Sequence, residues 1–191
     1  HAHAVRSLDT IAASIDHNHA ENIESLRKDI AGLRINFNEL VHDQKILGYD
    51  ETTGLRKDLL NAGNTVERII NENMTWVAES DAQKLMMMLM LMREFEAEYR
   101  LTQSDLTKQQ FFTTYKKFND TFALIDGTPD MKNALESEVK TYADTFAKWI
   151  DSYDRVQPLR AVIDIDSQNM LPRADDIIER AREHADDAAY G

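Results

Sequence analysis

The chain contains no cysteine, which excludes disulfide bonds, thiolate metal sites and cysteine nucleophiles and fits a cytosolic or a periplasmic setting equally. Glycine and proline are scarce, six and three in 191 residues, and no β-branched alternation bounded by turn residues occurs. Strand-rich and loop-dominated folds therefore have no support, and long helices are expected. No apolar run approaches the roughly 20 residues that cross a bilayer; the longest is Leu85-Met-Met-Met-Leu-Met-Leu-Met92. There is no phosphate-cradling glycine loop, no Gly-x-Ser-x-Gly elbow and no nucleophile beside a base, so the chain is not expected to be an enzyme or to carry a cofactor. The opening His1-Ala-His3-Ala4 lacks an initiator methionine and a signal-peptide charge pattern, which leads us to expect an excised or processed fragment with membrane segments beyond its ends.

What is present is acid and helical periodicity. Lys plus Arg number 22 against 34 Asp plus Glu, a formal net charge of -12. Nucleic acid and anionic membrane surfaces would be repelled over most of such a surface. From Leu8 the stripe Ala12, Ile15, His19, Ile23, Leu26, Ile30, Leu33, Phe37, Leu40, Gln44, Leu47 steps by threes and fours. That spacing predicts a helix of about 40 residues, ~60 Å long, which needs partners along its length.

Leu47-Gly-Tyr-Asp-Glu-Thr-Thr-Gly54 breaks it, with Gly48 suited to a left-handed C-terminal position and Asp50 or Thr52 available to cap the next helix. That second helix starts near Leu55 and carries Leu59, Ala62, Val66, Ile69 and Ile70; the capping-box spacing of Ser80 and Gln83 leaves open a restart there or passage through to Leu101. The pattern resets around Thr102–Leu106 and continues through Phe111, Tyr115, Phe118, Phe122 and Ile125 to a stop at Asp126-Gly127. Thr128-Pro129 then offers an N-cap with proline at the first helical position. The helix it starts bears Leu135, Val139, Tyr142, Phe146, Trp149, Ile150 and Tyr153 and is expected to end near Pro158 or within residues 164–169. A last helix is expected from Pro172, with Ile177, Ile178, Ala181, Ala185 and Ala188.

The predicted fold is thus all-α: a long antiparallel four-helix bundle, or two stacked four-helix modules sharing long helices, with residues 1–191 forming one domain. A weak echo favours paired design. Phe37, Leu40 and Val41 before the first turn match Phe146, Trp149 and Ile150; Leu59, Ala62 and Val66-Glu67-Arg68 match Leu171, Ala174 and Ile178-Glu179-Arg180.

Metal chemistry finds only fragments. Glu39-Leu-Val-His42 has the Glu-x-x-His spacing of di-iron bundles, but Ala181 stands three residues before His184, and Asp16 to His19 is only an approximate match. Asp16-His-Asn-His19 and His1-Ala-His3 place histidines two apart, which point away from each other on a helix. The methionines at 86, 87, 88, 90 and 92 contain i, i+4 pairs suited to soft copper(I), yet the interleaved leucines read as a helix buried in a bundle or a subunit interface. No metal site is assigned.

Arginines in or near apolar stripes are more informative: Arg27, Arg34, Arg56, Arg93, Arg100, Arg160 and Arg173. An inward guanidinium in so acidic a chain makes a local site for a carboxylate, held bidentately. The bland alternative is surface pairing, as of Arg93 or Arg100 with Glu96. Ligand-binding candidates are Arg34, Asn38, Arg56, Arg93, Tyr99, Arg100, Asn169 and Arg173.

Two segments carry a family resemblance. Leu47-Gly-Tyr-Asp-Glu-Thr-Thr-Gly-Leu-Arg56 with Leu60-Asn-Ala62 and Val66-Glu67, followed by Met88-Leu-Met-Leu-Met-Arg-Glu-Phe-Glu-Ala-Glu-Tyr-Arg100, resembles the sensor domains of methyl-accepting chemotaxis proteins, in particular the helical bimodular type. The match covers roughly residues 36 to 122 and departs where the family's Arg-Arg and Lys-Asp-Phe become Arg93-Glu94 and Ala97-Glu98-Tyr99. The resemblance implies a periplasmic domain of an inner-membrane receptor. It also implies a small-molecule ligand, often an organic acid, and a homodimer tethered to the membrane that relays occupancy for chemotaxis. A histidine-kinase sensor, a docking module for a periplasmic binding protein and a helical metal enzyme are the competing readings; a groove near the turns at Gly48–Gly54 and Pro158–Asn169 would favour docking.

Overall fold

A computed structural model describes the backbone of residues 2–190 and the side chains of residues 7–11 and 13–187. His1 and the side chains of His3, Ala12 and Ala188, named above, lie outside the described residues. The described chain is all-α, without a strand: α1 (Ala2–Leu47), α2 (Gly54–Arg68), α3 (Glu79–Thr102), α4 (Asp105–Ala123) and α5 (Pro129–Tyr190), with a π-helical turn over Ile69–Asn73. The helices pack into two compact units, residues 1–43 with 155–191 and residues 44–154.

Residues 44–154 form an up-down-up-down bundle. Leu59 and Val66 from α2, Leu85, Leu89 and Met92 from α3, Phe111, Phe118 and Phe122 from α4, and Leu135, Val139, Tyr142 and Phe146 from α5 make one almost solvent-free core. Each such side chain contributes about 1.5–3 kcal/mol of apolar burial. The aromatic rings interlock: Phe111 lies 4.3 Å from Phe146 and 5.5 Å from Tyr142, and Tyr99 stands edge-on to Phe146 and Trp149.

The boundaries follow local chemistry. Gly48, at φ +94°, ends α1 and donates to Gln44 O at 2.9 Å; a Cβ there would stand 2.2 Å from Thr53 O. Only glycine fits. The cap expected from Asp50 or Thr52 is instead Thr53, without a side-chain cap bond. Asp50 is committed elsewhere, accepting from Thr52 N at 2.8 Å and Thr52 Oγ1 at 2.6 Å, bonds that hold its carboxyl below the usual carboxylate range. The second helix does not run through: α3 restarts at Glu79, one residue before Ser80, so the capping-box pair lies inside the helix. Gln103 takes the left-handed position between α3 and α4, and its side-chain amide donates to the carbonyls of Tyr99 and Arg100. Thr128 opens α5 as expected, its Oγ1 accepting from Met131 N at 3.3 Å. Lys132 donates to the last carbonyls of α4, at Phe122 and Ala123, with its ammonium 5.1 Å from the Phe122 ring centroid.

One expectation fails. α5 neither ends near Pro158 nor restarts at Pro172; both prolines lie inside it. A proline's φ is already helical, and its cost lies in the i−4 carbonyl it leaves without a donor. Those carbonyls belong to Asp154 and Gln168, both exposed residues, so hydration can offset part of the cost.

Residues 1–43 and 155–191 form a two-helix unit. Arg173 meets Asp29, and His19 faces His184, so the two segments run antiparallel. A helix with a single neighbour covers only part of its stripe. Leu26 and Leu40 are buried, whereas Ile15, Ile30, Phe37 and Ile178 remain exposed.

Truncating Phe111 or Phe146 to Ala should therefore cost about 3–5 kcal/mol in urea unfolding. Leu124→Ala, at a residue 86% exposed, should change stability by no more than about 0.5 kcal/mol. Similar costs at all three positions would refute this core assignment.

Candidate functional site

In the bundle of residues 44–154 the antiparallel pair α2 and α3 brings Arg56, Arg93, Tyr99 and Arg100 to neighbouring positions around Glu96. Glu96 is 6% exposed. It lies in the row Leu85, Leu89, Met92, Glu96, Tyr99, whose other members are core residues. Burying a carboxylate there costs several kcal/mol unless it is paired and hydrogen-bonded. Both conditions are met: Arg100 Nε donates to Oε2 at 2.6 Å, and Tyr142 Oη, on α5, donates to Oε1 at 2.9 Å.

Arg93 crosses to the neighbouring helix. Its Nη1 donates to Glu67 Oε2 at 2.9 Å and its Nη2 to Asn64 Oδ1 at 2.8 Å. Gly63 makes room, since a Cβ at that position would stand 3.1 Å from Arg93 Nε. The sequence alternative of an Arg93–Glu96 pair is replaced by these contacts, whereas the Arg100–Glu96 pair is formed.

Arg56 is placed differently. Its ion pair, to Glu51, spans 3.5 Å and reaches an exposed carboxylate. Burial and then the neighbouring Arg100 guanidinium hold Arg56 below the ordinary arginine value, against the opposing pull of Glu96, Glu51 and Asp50. Three carboxylates, Glu96, Glu51 and Asp50, thus act on Arg56, and of these only Glu96 is buried. Tyr99 is buried against Phe146 and Trp149, its phenol pushed up first by burial and then by Asp154, Asp105 and Tyr153.

The other candidates fall in the two-helix unit. Arg173 pairs with Asp29 and donates from Nη2 to Ser25 Oγ at 3.0 Å. Together with Asn169, Lys28 and Asp29 it lines a cavity of about 260 Å³. Arg34 and Asn38 are exposed, as are Arg27 and Arg160. The eight candidates thus divide four and four between the units. A second cavity in this unit, about 470 Å³, is lined by residues including His19, Arg180, Glu183, His184 and Asp187.

Glu39 and His42 are exposed on α1, and no group of three or more His, Asp or Glu is arranged to hold a metal among the described residues. The methionine segment divides: Met92 is buried, Met86 and Met88 partly so, and Met87 and Met90 face outward. No helix among the described residues is long and apolar enough to cross a membrane. No protein-family model, curated protein or solved structure matches the chain.

Sequence reasoning missed Glu96 and Tyr142 as site members. Glu96 was legible as the one carboxylate in an apolar row. Tyr142 was hidden, because a tyrosine in such a row reads as packing.

Burial, and after it the Glu96 carboxylate, push the Tyr142 phenol far above its ordinary value. The unfolded chain then loses that proton first, near pH 10, so the stability linked to Tyr142 is intact below about pH 10 and declines as pH rises further. Urea midpoints at about pH 8 and about pH 11 should fall more steeply for the native chain than for Tyr142→Phe. Parallel declines would remove this linkage.

Proposed function

We infer that the chain is the extracytoplasmic sensor domain of a bacterial chemoreceptor, binding a small organic acid and relaying its occupancy across the membrane. The observation that carries this reading is Arg56, a partly buried guanidinium beside the Arg100–Glu96 pair whose own ion pair reaches only the exposed Glu51, at 3.5 Å. The two segments that bear the chemoreceptor resemblance, residues 47–67 and 88–100, supply both arginines. They also supply the Arg93–Glu67 contact that joins α2 to α3. The ligand carboxylate takes the place of the exposed Glu51 beside Arg56. In the full-length receptor the domain is tethered to the inner membrane on its periplasmic side and works as a homodimer. The outward face of α3, with Met87, Met90 and Leu91 exposed, is suited to a subunit contact.

Signalling on this reading is a population shift. A ligand held between α2 and α3 favours one packing of the bundle over another, by no more than its difference in affinity for the two.

A thermal-shift screen of the chain against organic acids, amino acids and aromatic compounds tests the reading. A ligand that binds the folded state alone adds about 2.7 kcal/mol at a hundred times its Kd. An organic acid should raise the Tm, and Arg56→Ala should abolish the rise while the variant stays folded, since its partner Glu51 is exposed. If no acid in a broad panel shifts the Tm, or the shift survives Arg56→Ala, the site is wrong.

A further inference from the structure

The two-helix unit holds chemistry that the arginine site does not use. His19 on α1 and His184 on α5 face each other with ring centroids 6.3 Å apart and planes inclined by 56°. Nδ1 of His19 is shielded from solvent and has no hydrogen-bond partner. A shielded nitrogen without a partner is a standing cost in a folded protein, and an imidazole nitrogen is a donor that borderline metal ions take.

The surroundings have the right sign and enough room. The cavity of about 470 Å³ between these helices is lined by both histidines together with Glu183 and Asp187, and with Arg180 as its cation. Asp187 lies three residues after His184, hence on the same helical face. The formal charge of the whole chain, -12, adds a favourable field for a cation.

We propose that His19 and His184 form a clamp for a divalent transition-metal ion such as Zn²⁺, Ni²⁺ or Cu²⁺, fastening α1 to α5, with water and Asp187 completing the coordination. Two imidazoles sharing a tetrahedral ion at about 2.1 Å stand with ring centroids about 5 Å apart. The observed separation is wider, so binding draws the rings together. No three-ligand cluster is preassembled among the described residues, so the third protein ligand must also move in on binding. The site requires nothing of the sensor reading, and its test is independent of any organic acid.

The test titrates the full chain, carrying His1→Gln and His3→Gln to silence the terminal histidines, with Zn²⁺, Ni²⁺ and Cu²⁺ in a calorimeter, with parallel melting curves. One ion should bind per chain and raise the Tm, reversibly on adding a chelator. His19→Gln and His184→Gln should each weaken binding by about tenfold or more. His17→Gln, at an exposed residue paired with Glu21, and His42→Gln should leave it unchanged. His184 is exposed and His19 half-buried, so both variants should fold, as helical circular dichroism will verify. Absence of binding by all three ions, or binding that survives both the His19 and His184 changes, overturns the clamp.

Discussion

The bundle of residues 44–154 is organised around a carboxylate that cannot be left alone. Glu96 sits where the α3 repeat calls for an apolar side chain, and it is tolerated because Arg100 and Tyr142 both donate to it. Removing one partner from such a buried group typically costs about 3–5 kcal/mol, far more than the pair contributes relative to apolar packing. Its value is therefore specificity. Leucines and phenylalanines still find contacts after a helix slips by one turn, whereas the Glu96–Tyr142 bond exists in a single register of α3 against α5. Tyr142 also packs edge-on to Phe111, so the polar contact and the aromatic core select the same alignment.

The units differ because a helix needs neighbours on more than one side to hide a wide apolar stripe. In the four-segment bundle the rows of α2 through α5 are enclosed, down to residues with essentially no exposure. In the two-helix unit the same periodicity buries Leu26 and Leu40 but leaves Ile15 and Ile30 in water. Its polar contacts, Arg173 with Asp29 and Ser25, are partly exposed, and exposed ion pairs contribute only about 0–1 kcal/mol each. Its cohesion within one chain is correspondingly lower.

The all-α class and most helix ends were legible because they depend on local chemistry: a stripe spacing, a glycine at a left-handed position, a threonine before a proline. Pro158 and Pro172 misled for a physical reason. A proline costs a helix most when the carbonyl it orphans finds no other donor, and exposure of Asp154 and Gln168 is a tertiary fact that local sequence does not carry. The same limit applied to the arginines. That Arg100 meets Glu96 follows from an i, i+4 spacing, but the partners of Arg93, Glu67 and Asn64, lie 26 and 29 residues away. Their meeting depends on how α2 folds back along α3.

The arginine cluster also constrains what a ligand can do there. Each of the three guanidiniums already has an internal carboxylate partner, so a bound anion must displace one of them. Glu96 cannot leave, because its second oxygen holds Tyr142 in the core. Glu67 is part of a two-point grip shared with Asn64 on Arg93, and losing it would loosen α2 from α3. Glu51 is exposed, reaches Arg56 only at 3.5 Å and lies in the turn between α1 and α2, so it is released into water at little cost. On the proposed reading, ligand entry therefore exchanges one carboxylate for another at Arg56. The first segment to feel that exchange is the Gly48–Gly54 turn, where Gly48 already holds a backbone conformation that few other residues could adopt.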